Sequence, residues 1–394
     1  MTFRLPAALS SPSGAPRRVL MIADAVGGIW DYALELSGGL SRRGIQVTLA
    51  VMGKEPTPAQ RDKASAIRHL DLHYGDFRLE WMADPEDDLR KAGDWLMDLA
   101  ERTAPDVIHL NGYTHAALPW KRPVLVVAHS CVLSWWDAVH RAPAPADWNA
   151  YASRVSAGLA AADRVVAPTQ AMLDALEVHY GPVPRSQVIW NGRDAGAWHG
   201  RTNMLEPDSR HGIVSVGRIW DEAKNIHALD SVAPSLDWPV TVAGAWQRPD
   251  GSGDPPANLR CPGVLASDAL ARLYRDSAIF ALPARYEPFG LSVLEAALSG
   301  CALVLGDLPS LRELWTGAAV FVPPDDHDAL TRELKRLIAQ PAHLATLALA
   351  ARHRARSYGT ERMVARYLNV YADLLDAPQT VPPHREVAAV PLGS

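Results

Sequence analysis

Short apolar runs alternate with amphipathic segments along most of the chain, and this alternation limits the possible folds more than any other feature. Val19 to Ala23, Val47 to Met52, Val107 to Leu110, Val124 to Ala128 and Arg164 to Ala167 are such runs in the first half. Ile213 to Gly217, Val240 to Ala243, Ala278 to Leu282 and Ala302 to Leu305 are their counterparts in the second. Each is too short for a helix and apolar at consecutive positions, the pattern of a strand buried on both faces of a parallel sheet. About eleven runs, in two series split near residue 200, predict an α/β chain of two Rossmann-like, doubly wound domains facing across a cleft. A length of 394 residues suits two cores better than one. The expected boundaries are a loose leader at 1–16, a first domain at 17–195, a linker at 196–210, a second domain at 211–358, a helix at 359–376 and a disordered tail at 377–394.

Composition excludes several classes. A net charge of −5 without long basic runs argues against nucleic acid as a partner. The cysteines Cys131, Cys261 and Cys301 are far apart and follow no metal-ligand spacing, so neither a zinc site nor a disulfide framework is expected, and a reducing cytoplasm is the simplest home. No apolar run reaches the roughly 18 residues that span a bilayer, and the leader lacks a signal-peptide core. The expected protein is soluble, at most peripheral to a membrane.

The stretch from Ala278 to Val304 carries most of the chemistry. It predicts a strand to Leu282, a loop from Pro283 to Gly290, a helix from Leu291 to Leu298 closed by Gly300, and a second strand from Ala302. Pro288 and Gly290 prevent a continuous helix, so the amides of Gly290, Leu291 and Ser292 emerge unpaired at a helix start, where phosphate binds readily. Glu287 stands before this start and Glu295 about 6 Å beyond it at the usual helical rise. A carboxylate beside a bound diphosphate is better matched to vicinal hydroxyls, such as a ribose diol, than to the phosphate itself. Alternatively, an acid in a first turn simply complements the helix dipole.

Other candidates sit at predicted strand ends. Gly27 and Gly28 follow the first strand without a G-x-G-x-x-G fingerprint; they either allow something to approach the backbone closely or only form a tight turn. His129 ends the Val124 to Ala128 run, on the side of an open sheet where ligands bind, although a lone histidine is also a common core residue. The segment CVLSWWDAVHRAPAPADWNA is expected to be a loop whose tryptophans stack on a ligand or pack the loop down. Arg218 and Lys224 flank a turn after a strand, where two cations can hold a diphosphate or merely face solvent. Asp325 and Asp326 look like helix caps, not metal ligands.

The pattern Glu287, seven residues, Glu295 within PARYEPFGLSVLEAALSG resembles the donor-site signature of the retaining, nucleotide-sugar-dependent glycosyltransferases of family 4, which have the GT-B fold. The resemblance covers roughly Arg17 to Leu375. VGGIWDYALELSGGLSRRGIQVTLAV is similar to the family's first glycine-rich loop and helix, VLVVAHS to the strand whose terminal histidine lies beside the sugar, and GRIWDEAKN to the cations that neutralise the leaving diphosphate. NLRCPGVLASDALARLYRDS looks like the loop under the nucleobase, with Gly263 and Val264 near the base. The family commonly follows the histidine with an acid, where this chain has Ser130.

What the resemblance implies is transfer of a sugar from a nucleoside diphosphate sugar to an acceptor, with retention, the first domain on the acceptor side and the last helix crossing back to it. Its catalytic set is His129, Arg218, Lys224 and Glu287. Its donor-binding set is Gly27, Gly28, Arg218, Lys224, Val264, Glu287, Phe289, Gly290, Leu291, Ser292 and Glu295. Two cations stand in for a metal, so none is required and no cofactor is expected beyond the donor. A sugar-nucleotide epimerase or phosphorylase of the same fold, and a catalytically silent nucleotide-sugar-binding protein, remain as alternatives. Base, sugar and acceptor are left open, the acceptor being lipid-linked, a saccharide, a small molecule or a protein.

Overall fold

The apolar runs of the first half lie side by side in one seven-stranded parallel sheet and those of the second half in a six-stranded one. The structure, a computed structural model, describes residues 14–25, 27–198, 210–248 and 251–377. The expected tail, apart from Ala377, and most of the expected leader and linker lie outside these residues.

The first sheet contains β1 (Arg18–Asp24), β2 (Gln46–Met52), β3 (Leu70–Gly75), β4 (Val107–Leu110), β5 (Val124–Val127), β6 (Arg164–Ala167) and β7 (Ser186–Val188), in the order β3-β2-β1-β4-β5-β6-β7. The second contains β8 (Ile213–Val216), β9 (Val240–Ala243), β10 (Arg260–Gly263), β11 (Ile279–Leu282), β12 (Ala302–Gly306) and β13 (Val320–Val322), in the order β10-β9-β8-β11-β12-β13. In both, the order reverses beside the first strand, the topological switch where open α/β sheets bind ligands. Side chains alternate between two cores: Leu20 and Ile22 enter one and Val19, Met21 and Ala23 the other. Phe280 and Leu282 are likewise separated from Ile279 and Ala281.

The helices of the first half are α1 (Gly28–Ser41), α2 (Pro58–Ser65), α3 (Glu86–Thr103), α4 (Val132–His140), α5 (Asn149–Ala161) and α6 (Gln170–Tyr180). Those of the second are α7 (Ile226–Val232), α8 (Ser267–Asp276), α9 (Leu291–Leu298), α10 (Pro309–Trp315), α11 (His327–Ala339), α12 (Pro341–Ala355) and α13 (Thr360–Asp376). Helix α13 returns to the first sheet, where Met363, Val364, Tyr367 and Tyr371 complete its core against α1. Gly39 lets the two helices touch, because a Cβ there would lie 2.3 Å from Val364 Cγ2. His109 of β4 sits beneath α13, its Nδ1 2.7 Å from Tyr371 Oη and its Nε2 3.4 Å from Tyr32 Oη.

Two expectations change. The tryptophan-rich segment is not a loop throughout: α4 forms because Cys131 caps it, its sulfur accepting from the Ser134 amide, and the prolines fall only after its left-handed end at Arg141. The stretch from Ala329 to Ser357, where amphipathic spacing alone predicts continuous helix, is two helices, since Pro341 bars helical backbone at Gln340.

Candidate active site

The C-terminal ends of β1, β5, β8 and β11 converge where the two domains meet. Beyond β8 the chain turns through Gly217 and Arg218 to Lys224, whose Nζ lies 2.6 Å from Glu287 Oε2 in the loop after β11. Asn225 holds these two loops together: it takes the left-handed conformation and donates from Nδ2 to the carbonyls of Pro283 and Pro324, at 2.9 and 2.7 Å. Arg218 donates to Asp221 Oδ2 at 2.6 Å and lies over the Trp220 ring. Burial alone would raise the Asp221 carboxyl, but Arg218, Lys224 and the Ala223 amide hold it below the usual range. The expected cations therefore sit together with carboxylate partners, one of them Glu287 itself.

Gly290, at φ +84°, turns the chain into α9, and no side chain caps that helix. Its first amides are the free donors of a helix start, with Leu291 and Ser292 in the first turn. From the first domain, Gly27 and Gly28 approach this start. A Cβ on Gly27 would lie 3.2 Å from Arg218 Nη1 and one on Gly28 3.4 Å from Leu291 Cδ1. Gly27 is also at φ +68°, so a side chain would be disfavoured in conformation and would crowd the arginine.

His129, just past β5, is half-buried. Asn111 donates from Nδ2 to the Ile22 carbonyl at 2.9 Å, which turns its Oδ1 toward His129 Nε2 at 2.8 Å. His129 Nε2 therefore carries the proton. Its ring stands edge-on to Tyr32, with centroids 4.5 Å apart, and burial lowers its pKa to about 3. It is a neutral imidazole on the first-domain side of the junction.

Glu295 occupies a more enclosed position than a diol-binding carboxylate suggests. It is 5% exposed and accepts from Arg193 Nε at 2.8 Å and from Tyr274 Oη at 3.4 Å, with Arg193 Nη2 at 2.6 Å. Arg193 also reaches Asp31 and Glu35 of α1, each at 3.6 Å, so one buried guanidinium joins both domains. Burial pushes the Glu295 carboxyl up to about 7, against the pull of Arg193. For Arg193, burial disfavours charge, but Glu295, Asp31 and Glu35 outweigh it and hold the pKa above its ordinary value. Sequence reasoning missed Arg193; its only signal was its place after the Asn191-Gly192 turn.

Two other predicted donor residues lie apart from this group. Phe289 is buried, its ring edge-on to Tyr358 at 5.9 Å, so its side chain belongs to the core. Val264 follows the edge strand β10 and is 78% exposed.

Further contacts close the junction. Tyr286 Oη accepts from the Cys131 amide at 3.3 Å and lies 2.9 Å from Ser134 Oγ. Thr169 Oγ1 donates to the Pro288 carbonyl at 3.0 Å, and Glu313 of α10 accepts the first amides of α6 from Gln170 and Ala171. Asp326 caps α11 by accepting from the Ala329 amide. Among the described residues, no group of three or more His, Cys, Asp or Glu is arranged to hold a metal, and no helix is long and apolar enough to cross a membrane.

Two parallel sheets meeting at their strand ends, with cations and an open helix start on one side and a histidine on the other, are the architecture of a GT-B glycosyltransferase. The model of Glycosyltransferase Family 4 matches residues 26–196, and that of Glycosyl transferases group 1 matches 210–340. The chain is a family 4 glycosyltransferase of the GT-B fold. It is 27% identical to a D-inositol 3-phosphate glycosyltransferase of Streptomyces bingchenggensis, over 91% of this chain and 90% of that one. It is 25% identical to a glycogen synthase of Mycobacterium tuberculosis, over 86% and 90%. Among solved structures, sucrose-phosphate synthase of Thermosynechococcus elongatus superimposes with a TM-score of 0.75 at 18% identity, covering 92% of this chain and all of that one. HepE of Anabaena in complex with UDP-glucose gives 0.71 at 15% identity, covering 90% and 99%.

Proposed function

We propose that the enzyme transfers a hexosyl group from a nucleoside diphosphate sugar to an acceptor with retention at the anomeric carbon, using its own cations in place of a metal. The observation that carries this reading is the convergence of Lys224, Arg218, Glu287 and the uncapped start of α9. Cations and fixed amide dipoles directed at one point stabilise the charge that develops on a departing diphosphate. The UDP-glucose bound to the HepE neighbour supports a donor of that class.

In this reading Lys224 exchanges Glu287 for phosphate oxygens when the donor enters, which frees the carboxylate to accept from sugar hydroxyls. Arg218, partly exposed and fixed by Asp221, supplies the second cation. Neutral His129 contacts the sugar from the opposite domain, and Glu295 receives the ribose diol through Oε2, which among the described residues holds only the 3.4 Å bond from Tyr274 while Arg193 keeps Oε1. Two cations beside Glu287 can neutralise the diphosphate without a metal, and the D-x-D triplet Asp326-His327-Asp328 lies at the start of α11, where Asp326 caps the helix. Retention follows a front-face route, in which the leaving phosphate takes the acceptor proton.

A panel of UDP-, GDP- and ADP-sugars screened by thermal shift on the full chain tests the donor, since a ligand at 100 times its Kd adds about 2.7 kcal/mol. Product mass spectrometry with EDTA present then tests transfer. The reading fails if no nucleotide sugar raises the midpoint, or if incubation with donor alone produces an epimer.

A further inference from the structure

Beside Glu287 a cavity of about 300 Å³ opens between the domains, at the lower end of the range for ligand pockets. One wall comes from the first domain, where Ala171, Ala175 and Val178 recur along one stripe of α6, with Ala138 of α4 beside them. The facing wall comes from the second domain, where Leu308 and Pro309 lead into α10. The alanines make the space, and Val178 is 78% exposed, a large apolar side chain that an occupant would cover.

Glu287 lines this cavity. It is 8% exposed, and its Oε2 is taken by Lys224, while its Oε1 has no hydrogen-bond partner among the described residues. Its backbone is fixed, because Ser310 Oγ donates to the Glu287 carbonyl at 2.6 Å and Thr169 Oγ1 to that of Pro288. The lining also holds Asp137, His179 and Arg285, but Arg285 is paired with Asp325 and the hydroxyls of Ser134, Tyr286 and Ser310 are bonded within the protein, so the cavity calls for a ligand that brings a hydroxyl donor and few other polar groups. A free monosaccharide brings a hydroxyl on nearly every carbon, more than Glu287, Asp137 and His179 can pair. Cys131 is no rival nucleophile: burial raises its thiol pKa.

We propose that this cavity is the acceptor pocket, and that it takes a small alcohol or phenol with a compact apolar body. The assignment rests on the glycosyl-transfer reading above and adds the acceptor class to it. In the step, the acceptor oxygen forms a bond to the anomeric carbon as the bond from that carbon to the diphosphate oxygen breaks. The bonding pair leaves with the diphosphate, which takes the hydroxyl proton, and the products are a glycoside and a nucleoside diphosphate. Glu287 Oε1 holds the acceptor hydroxyl as it enters, while Oε2, released by Lys224, accepts from the donor sugar; the acceptor hydroxyl then turns its proton to the departing diphosphate.

The test uses the full chain and the donor that gives the largest thermal shift. 4-Methylumbelliferone and 4-nitrophenol are offered as acceptors against free glucose and myo-inositol, with products read by mass spectrometry. Ala175→Phe and Ala138→Leu fill the cavity from two different helices, and circular dichroism confirms folding of each. The expected result is transfer to the phenols, with their KM raised at least tenfold in either folded variant and the Kd for UDP or GDP unchanged. Transfer to the sugars but not the phenols overturns the assignment, as does an unchanged acceptor KM in the folded variants. Nucleotide binding is measured first and separately, so loss of the underlying transferase reading would appear there, before any acceptor is added.

Discussion

Lys224 and Glu287 neutralise one another at 2.6 Å, which gives each a structural task alongside any catalytic one. Lys224→Met should lower kcat by about two orders of magnitude or more, the size of effect seen when one preorganised charge is removed from a transition state. It should also lower the thermal midpoint, by leaving Glu287 enclosed without a counter-charge. Adding Glu287→Gln to that variant should restore much of the midpoint and none of the turnover; recovery of both would mean the lysine only balances the carboxylate. A second residue-scale prediction concerns His109. Burial, together with the neighbouring His129, lowers its pKa to about 3. Because the folded value lies below the unfolded one, the imidazole costs nothing above about pH 6.5; on acidification toward pH 3 the unfolded chain takes up a proton that the folded chain refuses. Stability should therefore fall by about 1.4 kcal/mol per pH unit in that window. Urea denaturation at pH 7 and pH 5 should show a loss about 2 kcal/mol smaller in His109→Gln than in the parent. The Glu295 contribution has the opposite sign and is common to both proteins. At this scale the sequence was informative where residue type and place coincided, as for Lys224 after a strand and Glu287 before a helix. It was silent on Arg193, whose partners Glu295 and Asp31 lie 102 and 162 positions away: an arginine after an Asn-Gly turn has no local pattern that announces three distant acids.

Among the elements, strands were the most legible, because a run apolar on both faces has few other uses. Helix ends were less so. The break at Pro341 was available from proline chemistry but was overridden by continuous amphipathic spacing, and α4 was hidden by the prolines that follow it. The contact between α1 and α13 depends on one residue that periodicity cannot weigh. Gly39→Val would place carbon where Val364 already stands and should cost about 1–3 kcal/mol, as overpacked cores do. Equilibrium denaturation checks this, and Gly39→Val combined with Val364→Ala should regain part of the loss. A glycine in mid-helix carries no sign in sequence of whether it is tolerated or required.

Across the whole molecule, the two-domain plan followed from counting alternations, while the means by which the domains hold one another did not. The Arg193 cluster joins α1 to α9 through a buried guanidinium, 6% exposed. Arg193→Met should destabilise the chain by about 3–5 kcal/mol, the usual penalty for stranding buried charge. Raised salt should not rescue it, since enclosed pairs are little screened; an unchanged denaturation midpoint would show that water already solvates these acids. The return of α13 has a consequence of another kind. The seventeen residues that finish the first core are synthesised roughly 170 residues after β7, and at about 5–20 residues per second a ribosome needs on the order of ten to thirty seconds to reach them. During that interval the nascent amino-terminal half presents Tyr32 and the apolar face around it to solvent with its cover missing, so a chaperone or the finished second half has to guard it until the helix arrives.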